Sequence, residues 1–342
     1  MKKAILQVAD TGPLESLVVM LNAVGYECYL PGIHLRRELR CVGCDNVLDI
    51  EDLISTWGYE RPFTIGTASV EDMETADLYV DIKAHRNGPR VWERWPNLQN
   101  GVRTKVLWYR INGGEPEITE HGDEINVEYT PVLTPNQWYG EDGPWKNYSY
   151  TCWPPFYRFD DYNRTEDNHF RQPISLVHNV NGWGYGALAP ELRKLGVYCY
   201  GKGSPDGLIQ HGSVKDRLRE AVCMVHLKSS DAPAYALYEA LASACPVVVP
   251  RRLIWRSHMQ ELLIPGETCL VFDRETHDPL SEDDIALCTR EIEDSLHILN
   301  DPATNRRIGE AGRAKLQELM WKDCEESADV TGLGMFMQEM FG

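Results

Sequence analysis

The sequence predicts an α/β protein made of two doubly wound, Rossmann-like domains that face an interdomain cleft. Three observations carry this. Apolar runs of strand length alternate with stretches of helical periodicity. The alternation stops near residues 157–173 and then restarts. The length of 342 residues suits two domains of the usual ~100–200 residues each.

Taken in order, Lys3–Val8 reads as a buried strand. Asp10-Thr11-Gly12-Pro13 carries helix-start chemistry, with Asp or Thr as cap and Pro in the first turn. Leu14–Val24 has apolar residues at helical spacing, Gly25 closes it, and Tyr26–Leu30 is the next strand. Ala76–Ile82, Thr104–Tyr109 and Val132–Thr134 read as further strands. Arg158–Asn168 is polar and aperiodic, as expected of a linker. The second half runs as strand Ile174–His178, helix Leu188–Leu195, Gly196, strand Val197–Tyr200 and helix Val214–Glu220. It continues with strand Val222–Leu227, helix Pro233–Ser243 and strands Pro246–Val249 and Thr268–Phe272. Helices Asp283–Leu299 and Pro302–Met320 follow. The expected division is 1–156, linker 157–173, 174–310, and a helical tail 311–342 able to cross back to the first domain.

Composition narrows the function. Lys and Arg number 34 against 52 Asp and Glu, a net charge of −18. That argues against a broadly cationic binder of nucleic acid or anionic membrane, although a local basic groove is compatible with it. The 33 aromatic residues (7 Phe, 10 Trp, 16 Tyr) supply ample core and exclude wholesale disorder. No apolar run nears the ~20 residues that span a bilayer, and Ala4–Ala9 is too short for a leader's apolar segment. Ten scattered cysteines, most in apolar stretches (Cys199, Cys223, Cys245, Cys269), suit a reducing, cytoplasmic setting. Cys41 and Cys44 form one C-x-x-C pair without the second half of a zinc site, so no metal site is expected.

The most informative stretch is Val197–Asp273. It contains Tyr200-Gly201-Lys202-Gly203, then His211-Gly212-Ser213-Val214, then a strand ending in Lys228-Ser229-Ser230. Asp231 and Glu239 are separated by seven residues, with Glu239 opening Glu-Ala-Leu-Ala. Cys245-Pro246-Val247-Val248-Val249 and Pro265-Gly266-Glu267-Thr268 follow. This block resembles the donor-binding domain of GT-B glycosyltransferases. The similarity is to the large retaining family that includes sucrose synthase-like and lipopolysaccharide-type transferases, and a phage-type member is compatible with it. Asp231 stands where the family usually has Glu.

The resemblance implies a nucleotide-sugar donor, most simply a UDP-sugar, and no cofactor or metal. The reaction must stabilise a departing pyrophosphate beside an oxocarbenium-like sugar, and a helix start offers free N–H groups and a positive dipole end. In the helix beginning near Pro233, the amides of Ala234, Tyr235 and Ala236 would face phosphate or sugar; an ordinary capped helix is the plainer alternative. Asp231 would accept from sugar hydroxyls, or simply cap the helix. Glu239, about two turns on and on about the same face, would hold the ribose diol, which an ionised carboxylate with its acceptor oxygens suits. Ile209–Val214 corresponds to the base-contacting segment.

The family's Arg and Lys after the domain's first strand are missing here. That loop, His178–Gly186, offers Asn179, Asn181 and Gly182 instead, and Lys202, Lys228, Arg251 and Arg252 are candidate replacement cations. In the first half, His85 would touch the donor sugar, and Gly12 would let the loop after the first strand pass close to it. Aromatics between Trp92 and Trp153 are core or acceptor platform, with Arg110, Asn112 and Glu115 as acceptor-side candidates.

These readings point to a retaining, metal-independent hexosyl- or pentosyltransferase whose acceptor is a glycan, small molecule or modified DNA base. The alternatives are a phage-type DNA-base glycosyltransferase, using Arg86, Arg90, Arg94, Arg103 and Lys105; a GT-B-shaped sugar-nucleotide epimerase; and a non-catalytic nucleotide-sugar or glycan-binding protein.

Overall fold

The computed structural model describes residues 1–7, 13–42, 44, 47–49, 51–53, 65–82, 91–100, 103–109, 132–134, 149–151, 154–155, 157–162, 172–176, 186–201, 203–227, 235–256, 259–273, 281–323 and 326–342. The chain divides into two units, Met1–Phe156 together with Met320–Gly342, and Tyr157–Leu319.

The first unit runs β1 (Lys2–Gln7), α1 (Leu14–Ala23), β2 (Tyr26–Pro31), α2 (Ile33–Cys41), β3 (Gly66–Ala68), α3 (Val70–Glu74), β4 (Leu78–Ile82) and α4 (Val91–Arg94). A short antiparallel pair, β5 (Gln99–Asn100) and β6 (Arg103–Thr104), precedes β7 (Val106–Tyr109), β8 (Val132–Thr134) and β9 (Ser149–Thr151). Its seven-stranded sheet has the order β3-β2-β1-β4-β7-β8-β9, and all neighbours are parallel. Parallel strands need helices on their faces and apolar residues on both sides, and Ala4, Ile5 and Leu6 are all buried in β1. Gly25, at φ +89°, reverses the chain from α1 into β2, a conformation that glycine adopts without a Cβ clash. Ser69 and Asp72 form a reciprocal capping box on α3.

The second unit opens with a 3-10 turn at Phe159–Tyr162. It continues through β10 (Ile174–Leu176), α5 (Ala189–Lys194), β11 (Tyr198–Tyr200), α6 (His211–Glu220), β12 (Met224–Val225), α7 (Tyr235–Ala242), β13 (Val247–Pro250), α8 (Arg251–Arg256), β14 (Cys269–Phe272), α9 (Glu282–Leu299) and α10 (Pro302–Leu319). The five strands lie in the order β11-β10-β12-β13-β14, again all parallel. Val225, Val248 and Phe272 from the sheet pack with Leu192, Ile292, Leu296 and Ile308 from helices in one buried cluster.

After α10 the chain rejoins the first unit. The Trp321 N–H donates to the Pro154 carbonyl at 2.9 Å. The closing helix α11 (Ala328–Phe341) is capped by Ser327, whose Oγ accepts from the Val330 N–H at 3.1 Å. Tyr150 of β9 stacks against Phe336 at 5.8 Å and donates its hydroxyl to the Asp329 carbonyl at 2.9 Å. Gly332 lies beneath that ring, where a Cβ would sit 3.3 Å from it.

Several elements depart from the sequence reading. The stretch read as a polar linker begins with Tyr157, Phe159 and Tyr162 buried in the second unit; three aromatics outweigh the charged residues between them. α6 starts at His211 rather than Val214, and the strand expected over Val222–Leu227 is paired only at Met224–Val225. α10, whose last turns were expected in the returning tail, belongs to the second unit through Leu319. The four cysteines expected in apolar stretches are buried, as is Cys44, while Cys41 is exposed at the end of α2. Among the described residues no group of three or more His, Cys, Asp or Glu could hold a metal ion. No helix among them is long and apolar enough to cross a membrane.

α10 packs closely against the turn after α7. A Cβ on Gly309 would lie 2.1 Å from the Ala244 carbonyl oxygen, a backbone atom that has no room to yield. Gly309→Ala is therefore expected to cost roughly 1–3 kcal/mol by overpacking. Gly334→Ala, on α11 with its nearest atom at 3.9 Å, is expected to be neutral or to gain up to about 1 kcal/mol of helix propensity. Denaturant titration of both variants checks the contrast; equal stability of the two contradicts it.

Candidate functional site

In doubly wound sheets, ligands bind beyond the carboxyl ends of the strands, where the strand order reverses. In the second unit that point lies between β10 and β12, because β10 is followed in space by β11 on one side and β12 on the other. β10 ends at Leu176 and leads into the His178–Gly186 segment. β12 ends at Val225 and leads toward α7 through His226, which is 1% exposed and whose N–H donates to the Val248 carbonyl at 2.8 Å. In the first unit the reversal lies between β1 and β4. Gln7 and Asp81 are paired there in register, and the Tyr79 hydroxyl donates to Gln7 Oε1 at 2.5 Å.

α7 is the centre of the candidate site in the second unit. Every residue from Leu237 to Ala242 is buried, as is Tyr235, while Ala236 is half-buried. Within this apolar helix Glu239 is only 5% exposed. Glutamate is almost never so buried without a specific role or partner, since removing an ionised carboxylate from water is costly. The helix ends in a tight C-cap. Ala244 adopts φ +51°, its N–H reaches the Leu241 carbonyl at 3.0 Å, and the Cys245 N–H reaches the Ala240 carbonyl at 2.9 Å. Gly309 of α10 presses on this turn, and Gly312 faces the Leu241 side chain and the Thr268 carbonyl.

Four tyrosines pack along α7. The Tyr157 ring lies 6.2 Å from Tyr238 and meets Tyr162 edge-on at 5.7 Å, and Tyr235 meets Tyr238 edge-on at 6.3 Å. Burial pushes the Tyr157 phenol well above its ordinary value, and the negative charge of Glu239 adds to this. Arg313 of α10 ties the cluster together. Its guanidinium donates to the carbonyls of Phe159 at 3.0 Å, Tyr162 at 3.0 Å and Ala242 at 2.9 Å, and lies over the Phe159 ring at 5.2 Å. Burial lowers its pKa from the usual arginine value, against the opposing influence of Asp160. From α6, the Lys215 ammonium sits over the Tyr162 ring at 4.7 Å.

Of the residues singled out in the sequence, α7 carries Tyr235, Ala236 and Glu239 together. Ile209 and Val214, both half-buried, flank the start of α6, which packs beside α7. Gly12, His85, Asn179, Asn181, Gly182, Lys202, Lys228, Asp231 and Ala234 lie outside the described residues, as do Arg110, Asn112 and Glu115. Among the candidate cations, Arg251 is 40% exposed on its side chain and ion-paired, its Nε 2.6 Å from Asp273 Oδ1. Arg252 is half-buried on the same helix. In the first unit, Arg94 faces Glu38 at 3.7 Å and the Trp95 ring at 5.5 Å. The sequence reading missed Tyr157, Tyr162 and Arg313. The signal for Arg313 was the spacing Gly309, Gly312, Arg313, small residues at one helix contact with a cation beside them.

No protein-family profile matches this sequence, and no curated protein matches it. Among solved structures it is similar to a sucrose-phosphate synthase from Thermosynechococcus elongatus (14% identity, 100% of this chain and 99% of that one, TM-score 0.62). It is also similar to a glycosyltransferase from Rickettsia africae ESF-5 (13% identity, 98% of both chains, TM-score 0.56). A third is WaaG, a glycosyltransferase involved in lipopolysaccharide biosynthesis (10% identity, 99% of both chains, TM-score 0.52).

Removal of the Arg313 side chain by Arg313→Ala is expected to destabilise the second unit by roughly 2–4 kcal/mol, because three carbonyls lose a charged donor. Arg313→Lys should recover only part, since a single ammonium cannot span all three. Denaturant unfolding measures both, and an alanine variant as stable as the parent contradicts the clamp. From the strand order and the coverage of these likenesses, the chain has the GT-B fold.

Proposed function

We propose that this protein is a glycosyltransferase that moves a sugar from a nucleotide-sugar donor to an acceptor hydroxyl, with retention and without a metal or cofactor. The observation that carries the reading is Glu239, a carboxylate 5% exposed in the middle of the apolar helix that follows β12, one of the two strands at the reversal of the second unit. That the similar structures are named as glycosyltransferases or a sucrose-phosphate synthase supports it.

In this reading the second unit takes the donor. Glu239 accepts two hydrogen bonds from the vicinal ribose hydroxyls, a geometry that its two oxygens match. The base lies against Ile209–Val214. The pyrophosphate is met by amides at the start of α7, including Ala234 to Ala236, and by Asn179, Asn181, Gly182 and Lys202. Asp231 accepts from the sugar hydroxyls. As the anomeric C–O bond breaks, the electron pair passes to the diphosphate oxygen, and fixed donors stabilise that charge without rearranging. The acceptor hydroxyl attacks from the face of departure and its proton passes to the leaving phosphate oxygen, so no side-chain base is required. A UDP-sugar is the donor proposed, and the first unit supplies the acceptor side.

With EDTA present, a panel of nucleotide sugars and acceptors is expected to show acceptor-dependent release of nucleoside diphosphate. Binding without release across the panel would favour the non-catalytic alternative. Glu239→Ala and Glu239→Gln should each weaken UDP binding by roughly 10–100-fold, the worth of hydrogen bonds to a charged group. Calorimetry reads this directly, and an unchanged dissociation constant in both variants refutes the assignment of Glu239.

A further inference from the structure

We propose that Tyr157 is a positioning residue for Glu239: its hydroxyl donates to the carboxylate and holds it toward the ribose when a nucleotide is bound. The inference rests on the donor-site reading above but goes beyond it, because Tyr157 lies outside every motif that suggested that reading.

Four observations meet at this residue. Tyr157 is the first residue of the second unit and is 5% exposed. Its ring is fixed between Tyr238, the neighbour of Glu239 on α7, and Tyr162 of the 3-10 turn. Its hydroxyl oxygen is buried, and the described residues offer it no hydrogen-bond partner. Burial, and after it the negative charge of Glu239, raises the pKa of its phenol.

The chemistry follows from these. A buried hydroxyl without a partner is costly, and such a group in a folded protein asks for an explanation. Burial and the nearby negative charge both keep the phenol protonated, so toward Glu239 it acts only as a donor. A carboxylate has about four lone-pair sites; a ribose diol uses two and leaves room for a third donor. Arg313 holds the carbonyls of Phe159 and Tyr162 to that of Ala242, so the segment behind Tyr157 is fixed to the end of α7. The Tyr157 hydroxyl is therefore carried on a rigid support beside α7.

The test compares Tyr157→Phe with the parent enzyme, using UDP and 2′-deoxy-UDP as probes. The phenylalanine keeps the ring contacts and removes only the oxygen. Expected are a roughly 3–10-fold weaker UDP dissociation constant, a smaller preference for UDP over its 2′-deoxy analogue, and a thermal midpoint that is unchanged or raised. Glu239→Ala is measured alongside. Unchanged UDP affinity in Tyr157→Phe with weakened binding in Glu239→Ala overturns the role of Tyr157 and leaves the donor site standing. Unchanged affinity in both variants overturns the donor-site reading itself. Weaker binding with a lowered midpoint and an undiminished ribose preference shows a packing role and also overturns the inference.

Discussion

The second unit is organised by one close contact, that of α10 with the turn that ends α7. Gly309 lets the helix approach the Ala244 carbonyl until no Cβ would fit, Gly312 lies against the Leu241 side chain, and Arg313 beside them gathers three carbonyls. Ala244 holds a φ of +51° in the C-cap of α7, a conformation that costs a non-glycine residue about 1–2 kcal/mol, and its carbonyl faces Gly309 there. With it, the chain leaves α7 directly into β13, the helix is locked against the sheet, and Glu239 is fixed at depth. A loosely held helix would let that carboxylate turn out to water, where it is far better solvated.

Parallel topology then decides where chemistry is possible. Every paired strand of the two large sheets runs the same way, so each sheet presents all of its carboxyl ends on one edge. The reversal of strand order separates two of the connecting segments there. In the second unit the segments are those leaving Leu176 and Val225; in the first they leave Gln7 and Ile82. Gly12, His85, Asn179, Asn181, Gly182, Lys228 and Asp231 all fall in the segments that leave these four strands. The acidity of the chain bears on the same edge. Arg251 is paired with Asp273, so part of the positive charge counted there is already compensated.

Much of the fold was legible because its causes are local. Gly25 and Gly196, both at positive φ, mark helix ends that sequence punctuation announces, and the apolar runs that became β1, β4 and β13 are buried on both faces and read accordingly. α2 was not legible. Only Leu35 and Leu39 are buried in it, and the sequence His34-Leu35-Arg36-Arg37-Glu38 hides a two-residue stripe among charges. β3 and β9, three residues each, are defined by their neighbours rather than by any pattern of their own. At the site, Glu239 stood out because it follows Asp231 at the spacing that carries the family resemblance and opens Glu-Ala-Leu-Ala. Tyr157 did not, since its meaning lies in a contact with Tyr238, eighty-one positions away (238 − 157).

The central claim is that the buried carboxylate of Glu239 holds the nucleotide. A crystal structure of the protein with UDP tests it most directly. The account predicts the ribose hydroxyls on the two oxygens of Glu239 at about 2.5–2.7 Å, the range of hydroxyl-to-carboxylate hydrogen bonds. A nucleotide well ordered elsewhere, with Glu239 making no contact to it, would contradict the account.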